Sequence, residues 1–416
     1  MTTHTASLRT RLGRLTLVPA VVGTALIASV PTPAAAFGNA NDFEPLRGRL
    51  LDTRTGTTSD NAQPQVIGVR PAGTTTTVKV ATRIYVPQNA VGATLTLTID
   101  APAANGHATV YPCGSDRPLA STINYAANKS IANTAIVPLG TGGAVCVYNS
   151  AAAHVVLDLQ GYFTASAETA LLTPARYLDT RPNEKTFDGN SQGTGALAAA
   201  GMKALQVGNR GQVPLNATSA IMTVAVKAIG NGYVTLWPCG SQRPTASTIN
   251  FTAGTIVANT IITSIGTNQS VCFYSSAQVH LIVDVTGYSD NKSNYRPLVP
   301  ARLMDTRPGK TTIDGKVAGT GAFTANSSRL IDIAARGGLP GVPRAVMLNI
   351  TVTNPAASGV LRVRACNSLD QWEILFHPGQ TIAKSAVVSV QAAGNICVGS
   401  TAGTNVIIDV VGYYEY

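Results

Sequence analysis

Only 12% of this 416-residue chain is charged, so charged residues that recur at fixed spacing are the first candidates for chemistry. One phrase occurs three times: Arg49-Leu50-Leu51-Asp52-Thr53-Arg54, Arg176-Tyr177-Leu178-Asp179-Thr180-Arg181 and Arg302-Leu303-Met304-Asp305-Thr306-Arg307. Its aspartates lie 127 and then 126 residues apart. A second phrase, Asp-x-x-Gly-Tyr, follows each copy and begins at Asp158, Asp284 and Asp409. In an extended backbone Asp52 and Arg54 share one face and Leu51 takes the other, as do Asp179 with Arg181 and Asp305 with Arg307. Such a face could bind a polar ligand or catalyse. The expected role is structural: an arginine of the opening phrase bridges to the closing aspartate and ties first strand to last. Pairing with arginine would lower the carboxylate pKa values, whereas a glycosidase needs a facing acid pair with one member raised.

A second constellation is Tyr111-Pro112-Cys113-Gly114-Ser115-Asp116-Arg117-Pro118, repeated as Trp237-Pro238-Cys239-Gly240-Ser241-Gln242-Arg243-Pro244. Ser121-Thr122-Ile123-Asn124 and Ser247-Thr248-Ile249-Asn250 follow, then Asn133-Thr134 and Asn259-Thr260. An aromatic ring, an arginine and an amide are the tools of a sugar- or peptide-binding loop. Tyr111, Arg117, Asn124, Trp237, Arg243 and Asn250 are therefore the candidate binding residues. The alternative is a rigid turn whose asparagines cap backbone groups. The third copy, Arg364-Ala365-Cys366-Asn367-Ser368-Leu369-Asp370-Gln371-Trp372, lacks both the Arg-Pro and the Ser-Thr-Ile-Asn pattern.

Other motifs carry less. His154 and His280, flanked by aliphatics and replaced by Asn405 in the third copy, read as packed strand residues. Gly189-Asn190-Ser191-Gln192-Gly193 matches a nucleophile-elbow pattern but lacks the strand–turn–helix context that the elbow requires. No zinc-protease, P-loop, EF-hand or dinucleotide pattern occurs, and neither metal nor cofactor is expected. The six cysteines fall two to a repeat: Cys113 with Cys146, Cys239 with Cys272, Cys366 with Cys397. Intramodule disulfides are the expected pairing, each adding roughly 3.5–4 kcal/mol through loop-closure entropy.

The elements that must position these residues are strands. In the second repeat, β-branched or aromatic runs bounded by Gly, Pro, Asn or Ser cover 176–180, 203–207, 220–227, 233–237, 247–251, 255–265, 270–274 and 279–285. A Gly- and Asn-rich loop fills 181–202. Seven or eight short strands in about 115 residues predict an all-β module, an antiparallel β-sandwich of Greek-key or jelly-roll type. A small β-barrel or trefoil is the alternative. The expected organisation is a signal peptide (1–36) followed by modules at 37–163, 173–289 and 299–416. Each would be a bead with its own core, joined by short linkers.

Residues 1–36 carry Arg9, Arg11 and Arg14, an apolar stretch at about 15–30, and Ala34-Ala35-Ala36 before Phe37. That order predicts export by the general secretory route. The apolar stretch is short for a span, so no membrane span is expected in the mature chain. Formal charge is +10 overall, and basic residues are scattered without aromatic platforms, which argues against nucleic acid and leaves weak attraction to anionic wall polymers.

The two end phrases together resemble a module of actinobacterial exported proteins, which opens with Arg-x-Leu-Asp-Thr-Arg, carries a cysteine-containing middle and closes with Asp-x-x-Gly-Tyr. The resemblance covers about residues 45–163, 173–289 and 299–416. It implies export and a β-rich accessory role and brings no assigned activity. The expected function is a secreted or cell-surface, non-catalytic protein that binds glycan or cell-wall polymer. A structural or self-assembling surface protein is the alternative, with strand edges as its contacts. An extracellular hydrolase with an unrecognised site is the third.

Overall fold

Period-two runs of Val, Ile, Thr and Ala form strands in all three repeats of the computed structural model, which describes residues 1–2, 43–57, 59, 66–119, 121–164, 168–366 and 372–416. The expected signal peptide, apart from Met1 and Thr2, lies outside these residues. The first repeat supplies β1 (Phe43–Asp52), β2 (Thr74–Lys79), β3 (Ala90–Asp100), β4 (Gly106–Pro112), β5 (Ile123–Tyr125), β6 (Ile131–Pro138), β7 (Ala144–Asn149) and β8 (His154–Thr164). The second supplies β9 (Thr169–Asp179), β10 (Gly201–Gln206), β11 (Ser219–Ala228), β12 (Gly232–Pro238), β13 (Ile249–Phe251), β14 (Ile256–Ser264), β15 (Ser270–Ser275) and β16 (Val279–Ser289). The third supplies β17 (Tyr295–Asp305), β18 (Ser327–Asp332), β19 (Ala345–Thr353), β20 (Gly359–Arg364), β21 (Trp372–Phe376), β22 (Thr381–Ser389), β23 (Asn395–Ser400) and β24 (Asn405–Tyr414).

Every repeat builds two four-stranded sheets in the same order. The first repeat has β1-β8-β3-β6, which carries both phrases, and β2-β7-β4-β5, which carries the disulfide. The six small sheets form a six-bladed β-propeller. This corrects the expected fold: the chain is neither three tandem sandwiches nor a set of barrels or trefoils. The beads are not independent, because the phrase-bearing blades are buried on both faces. β11 is buried at every position but Lys227, where a sandwich strand with one solvated face would alternate buried and polar. One face packs on the disulfide-bearing blade of its own repeat, through Met222, Val224, Leu236 and Phe273 in the second. The other face joins a cluster drawn from all three repeats, including Phe43, Phe163, Ile221, Ile262, Tyr295, Met347 and Tyr414. Each aliphatic side chain so buried stabilises the fold by roughly 1.5–3 kcal/mol.

The shared cluster also closes the ring. Phe43 near the start stacks on Tyr414 near the end, ring centroids 4.6 Å apart. Arg344 pairs with Glu44, and Arg47 Nη2 donates to the Val387 carbonyl at 2.7 Å. The closing-phrase glycines make this possible: a Cβ at Gly161 would run into the Phe43 ring, and one at Gly412 into Tyr295. The edge strands β6, β14 and β22 contact one another at the centre. There Thr134 Oγ1 donates to the Ser385 carbonyl at 2.6 Å, and Ser385 N donates to Asn259 Oδ1 at 3.0 Å.

Candidate functional site

The opening phrase sits on a strand that changes register. In β1 the pairing with β8 shifts between Arg49 and Leu51, so Leu50 and Leu51 both enter the core. A bulge of this kind re-aims side chains, and here Arg49 and Asp52, three residues apart, meet. Arg49 Nε donates to Asp158 Oδ1 at 2.8 Å and its Nη1 to Asp52 Oδ2 at 2.9 Å. Arg54 clamps Asp52 from the other side, Nε to Oδ1 at 2.9 Å and Nη2 to Oδ2 at 2.7 Å. Arg176 and Arg181 treat Asp284 and Asp179 alike, and Arg302 and Arg307 treat Asp409 and Asp305 alike. The arginine that reaches the closing aspartate is the first of the phrase. Arg49, Arg176 and Arg302 were absent from the candidates named above, although they recur as regularly as Arg54, Arg181 and Arg307.

The electrostatics divide the carboxylates. Burial works against charge on Asp52 and Asp305, but hydrogen bonds from Arg54 and Arg307, with the charges of both neighbouring arginines, hold them below the usual carboxylate range. At Asp158, Asp284 and Asp409 burial wins and pushes the carboxyls up, with the bridging arginine offsetting part of the shift. The expected lowering is thus reversed at the closing aspartates. Both oxygens of Asp284 accept from Arg176, and Asp179 accepts from Arg176 and Arg181, so this carboxylate pair is held as a clamp.

The clamp also reaches the preceding repeat. Arg176 Nη2 donates to the Leu119 carbonyl at 3.2 Å, and Arg302 Nη2 to the Thr245 carbonyl at 3.4 Å. Leu119 and Thr245 each lie two residues beyond the arginine of a disulfide turn. A cleft of about 250 Å³ opens beside the first of these contacts, between Leu119, Arg176, Lys185, Phe187 and Asp284.

The disulfide turns of the first two repeats lie on the solvent face of the second blade type. All three expected pairings form: Cys113–Cys146, Cys239–Cys272 and Cys366–Cys397. They account for all six cysteines of the chain, as suits an oxidising, extracellular environment. Tyr111 and Trp237 are buried, 8% and 5% exposed. Trp237 Nε1 donates to the Ser241 carbonyl at 3.1 Å, so this indole braces its turn, and neither ring offers an open platform. The exposed arginines stack on other rings. The Arg117 guanidinium lies 3.8 Å from the Tyr148 centroid, and that of Arg243 lies 3.8 Å from Tyr274. His107 and Tyr233 flank these rings at 5.7 and 6.0 Å, and Asn124 and Asn250 stand opposite them across the ladder. Both amides donate to a nearby hydroxyl, Ser121 or Ser247, at 3.1 Å. Burial, then the Arg117 charge, lowers the His107 pKa.

Pattern reasoning on turns missed Tyr148 and Tyr274. The signal was present: Cys-x-Tyr recurs as Cys146-Val147-Tyr148 and Cys272-Phe273-Tyr274, which in a strand places ring and sulfur on one face. Asn133 and Asn259 lie away from this face, buried near the centre, where their amides donate to the carbonyls of Thr122 and Thr248. His154 and His280 meet the phrase threonines, Nδ1 to Oγ1 at 3.3 and 3.2 Å.

No family model matches the chain, and no curated protein matches it. Among solved structures it is similar to a triple jelly roll protein of an archaeal virus turret, 10% identical over 90% of this chain and 91% of that one, with a TM-score of 0.21. It is also similar to the N-terminal tandem CBM22 domain of Paenibacillus barcinonensis Xyn10C, 11% identical over 59% and 99%, TM-score 0.17. For an allantoicase the values are 10%, 61%, 95% and 0.16. Likenesses this weak carry no argument about fold or function. Among the described residues no helix is long and apolar enough to cross a membrane.

Proposed function

We propose that this chain is a secreted or cell-surface, non-catalytic protein that binds glycan or cell-wall polymer, exported by the general secretory route with residues 1–36 as its signal, and akin to the actinobacterial modules it resembles. The observation that carries the binding reading is the recurrence of one surface arrangement. Arg117 on Tyr148 with His107 and Asn124 is repeated as Arg243 on Tyr274 with Tyr233 and Asn250. A held arginine, flanking rings and amides on a solvent face suit a hydroxyl-rich ligand. Two such faces on one closed ring would give avidity to a repeating polymer. Tyr111 and Trp237 lie on the same face, buried beside the disulfides.

The test is co-sedimentation of residues 37–416 with insoluble polysaccharides and purified cell wall, wild type beside Arg117→Ala/Arg243→Ala. Wild type should pellet and the double variant should remain in solution with an unchanged melting temperature. Wild type left in the supernatant with every matrix would sink the reading and favour a structural, self-assembling role.

A further inference from the structure

We infer that the two arginine faces recognise oxyanions, the carboxylates or phosphodiesters of an anionic glycan, rather than neutral sugar rings; this rests on the glycan-binding reading above. The first ground is how arginines are used elsewhere in the chain. Eleven arginines form ion pairs among the described residues. Arg117 and Arg243 are exposed, and neither forms an ion pair or a side-chain hydrogen bond there. Each is nevertheless held at van der Waals distance over a tyrosine ring. A stacked guanidinium loses little further freedom on binding and keeps its N–H edge for a planar, bidentate acceptor.

The second ground is what the stack blocks. A neutral sugar would use the open face of an aromatic ring, but the guanidinium already covers a face of Tyr148 and Tyr274, and Tyr111 and Trp237 are buried. The third is the contrast with the last repeat. Its blade has Gly399 in the place of Tyr148 and Tyr274, and its outward Arg362 is already paired with Glu373 at 2.8 Å. Arg329 of that repeat also stacks on a ring, Phe323, without an ion pair among the described residues, but both of its terminal nitrogens already donate, to Thr320, Gly321 and Ala322, so it offers no free fork. The repeat-two turn has Gln242 where repeat one has Asp116, so Arg243 should be the stronger of the two sites.

The experiment measures binding of the full mature chain to three soluble polymers: a polygalacturonate, a poly(glycerol phosphate) and a neutral dextran. Wild type is compared with Arg243→Ala, Arg243→Lys and Arg117→Ala/Arg243→Ala. Binding to the uronate, the polyol phosphate or both is expected, which also identifies the oxyanion, with none to dextran. Arg243→Ala should weaken it about tenfold, a loss of about 1.4 kcal/mol. Arg243→Lys should not restore it, because a lysine has no planar fork. Dextran binding equal to that of the polyanions, unchanged in the variants, would overturn the oxyanion inference and leave glycan binding standing. Polyanion binding unchanged in the double variant would assign attraction to net charge and also overturn it. Failure to bind any polymer, together with failure to pellet with insoluble wall, would remove the glycan reading and the inference together.

Discussion

The third repeat departs from its two siblings at the solvent face and at the centre while sharing their framework. The arginine–aspartate clamp is the same in all three, bridging distances included: 2.8, 2.9 and 2.9 Å from Nε to the closing aspartate. On the solvent face the third repeat has Gly399 in the place of a tyrosine, and Arg362, paired with Glu373, in the place of Thr109 and Thr235. Near the centre it replaces Asn133 and Asn259 with Lys384, as strand register shows. The asparagines each tie a disulfide-bearing blade to its own phrase-bearing blade. Lys384 Nζ instead donates outside its repeat, to the Ala258 carbonyl at 2.8 Å and Asn133 Oδ1 at 3.4 Å. The clamp and the disulfide are thus kept in all three repeats, while this central position and the solvent face diverge. The lysine also makes the central contacts unequal, so three similar repeats do not meet in interchangeable ways. Polar groups at buried positions can confer such specificity at a cost in stability.

Disabling the clamp should have the largest effect. Asp179→Asn leaves Arg176 and Arg181 facing an uncharged group, and breaking a buried pair costs roughly 3–5 kcal/mol. Because the repeats share a core, denaturant should unfold the full chain in one transition displaced by that amount. If only a third of the signal moves, the repeats are independent. Asp52→Asn should be milder, since the Arg49 side chain that it would leave short of a partner is 34% exposed while that of Arg176 is 9%.

Opening a disulfide comes next. Cys239→Ser with Cys272→Ser should lower stability by roughly 3.5–4 kcal/mol through loop-closure entropy, read from the same denaturation curves. The equivalent change at Cys366 and Cys397 should match it within about 0.1 kcal/mol, because the closed loops differ by only two residues (33 and 31) and the entropy varies with the logarithm of length. Unequal losses would show that the third repeat differs in framework as well as in surface.

Lys384→Asn, which restores the residue of the other repeats, should raise stability. Burial lowers the Lys384 pKa from 10.5 to about 7. In that interval the unfolded chain holds the proton and the folded one releases it, so wild-type stability should rise with pH from about 7 towards 10.5, by a few kcal/mol at about 1.4 kcal/mol per unit. The variant should be more stable than wild type at pH 7 and lack that rise. Parallel pH profiles for the two proteins would contradict the account.

The smallest effect belongs to the third solvent face. Arg362→Ala breaks a surface pair worth less than about 1 kcal/mol and should leave polymer binding untouched. Loss of binding in this variant would place a ligand site on the one face that the other two do not resemble.

Strand content, the three-fold repeat, the cysteine pairing and the loop at 181–202 were legible in the residues because each depends on local spacing. Period two, Gly and Asn punctuation and a recurring Cys interval need no knowledge of the fold. That an arginine of the opening phrase reaches the closing aspartate was expected from the residues, but not that Arg49 is that arginine, since this depends on a register shift no residue type announces. What the chain alone could not decide was how six sheets share their faces. The largely apolar run of β11, broken by Thr223, is compatible with a buried strand of many folds, and only its neighbours on both sides reveal a shared centre. The tertiary structure likewise decided which aromatics meet solvent. Tyr111 and Trp237 stand beside the turn in sequence yet are buried, while Tyr148 and Tyr274, over thirty residues from their arginines in the chain, are brought under them by strand pairing and a disulfide. Local spacing sets which side of a strand a residue takes, whereas the fold sets what lies on that side.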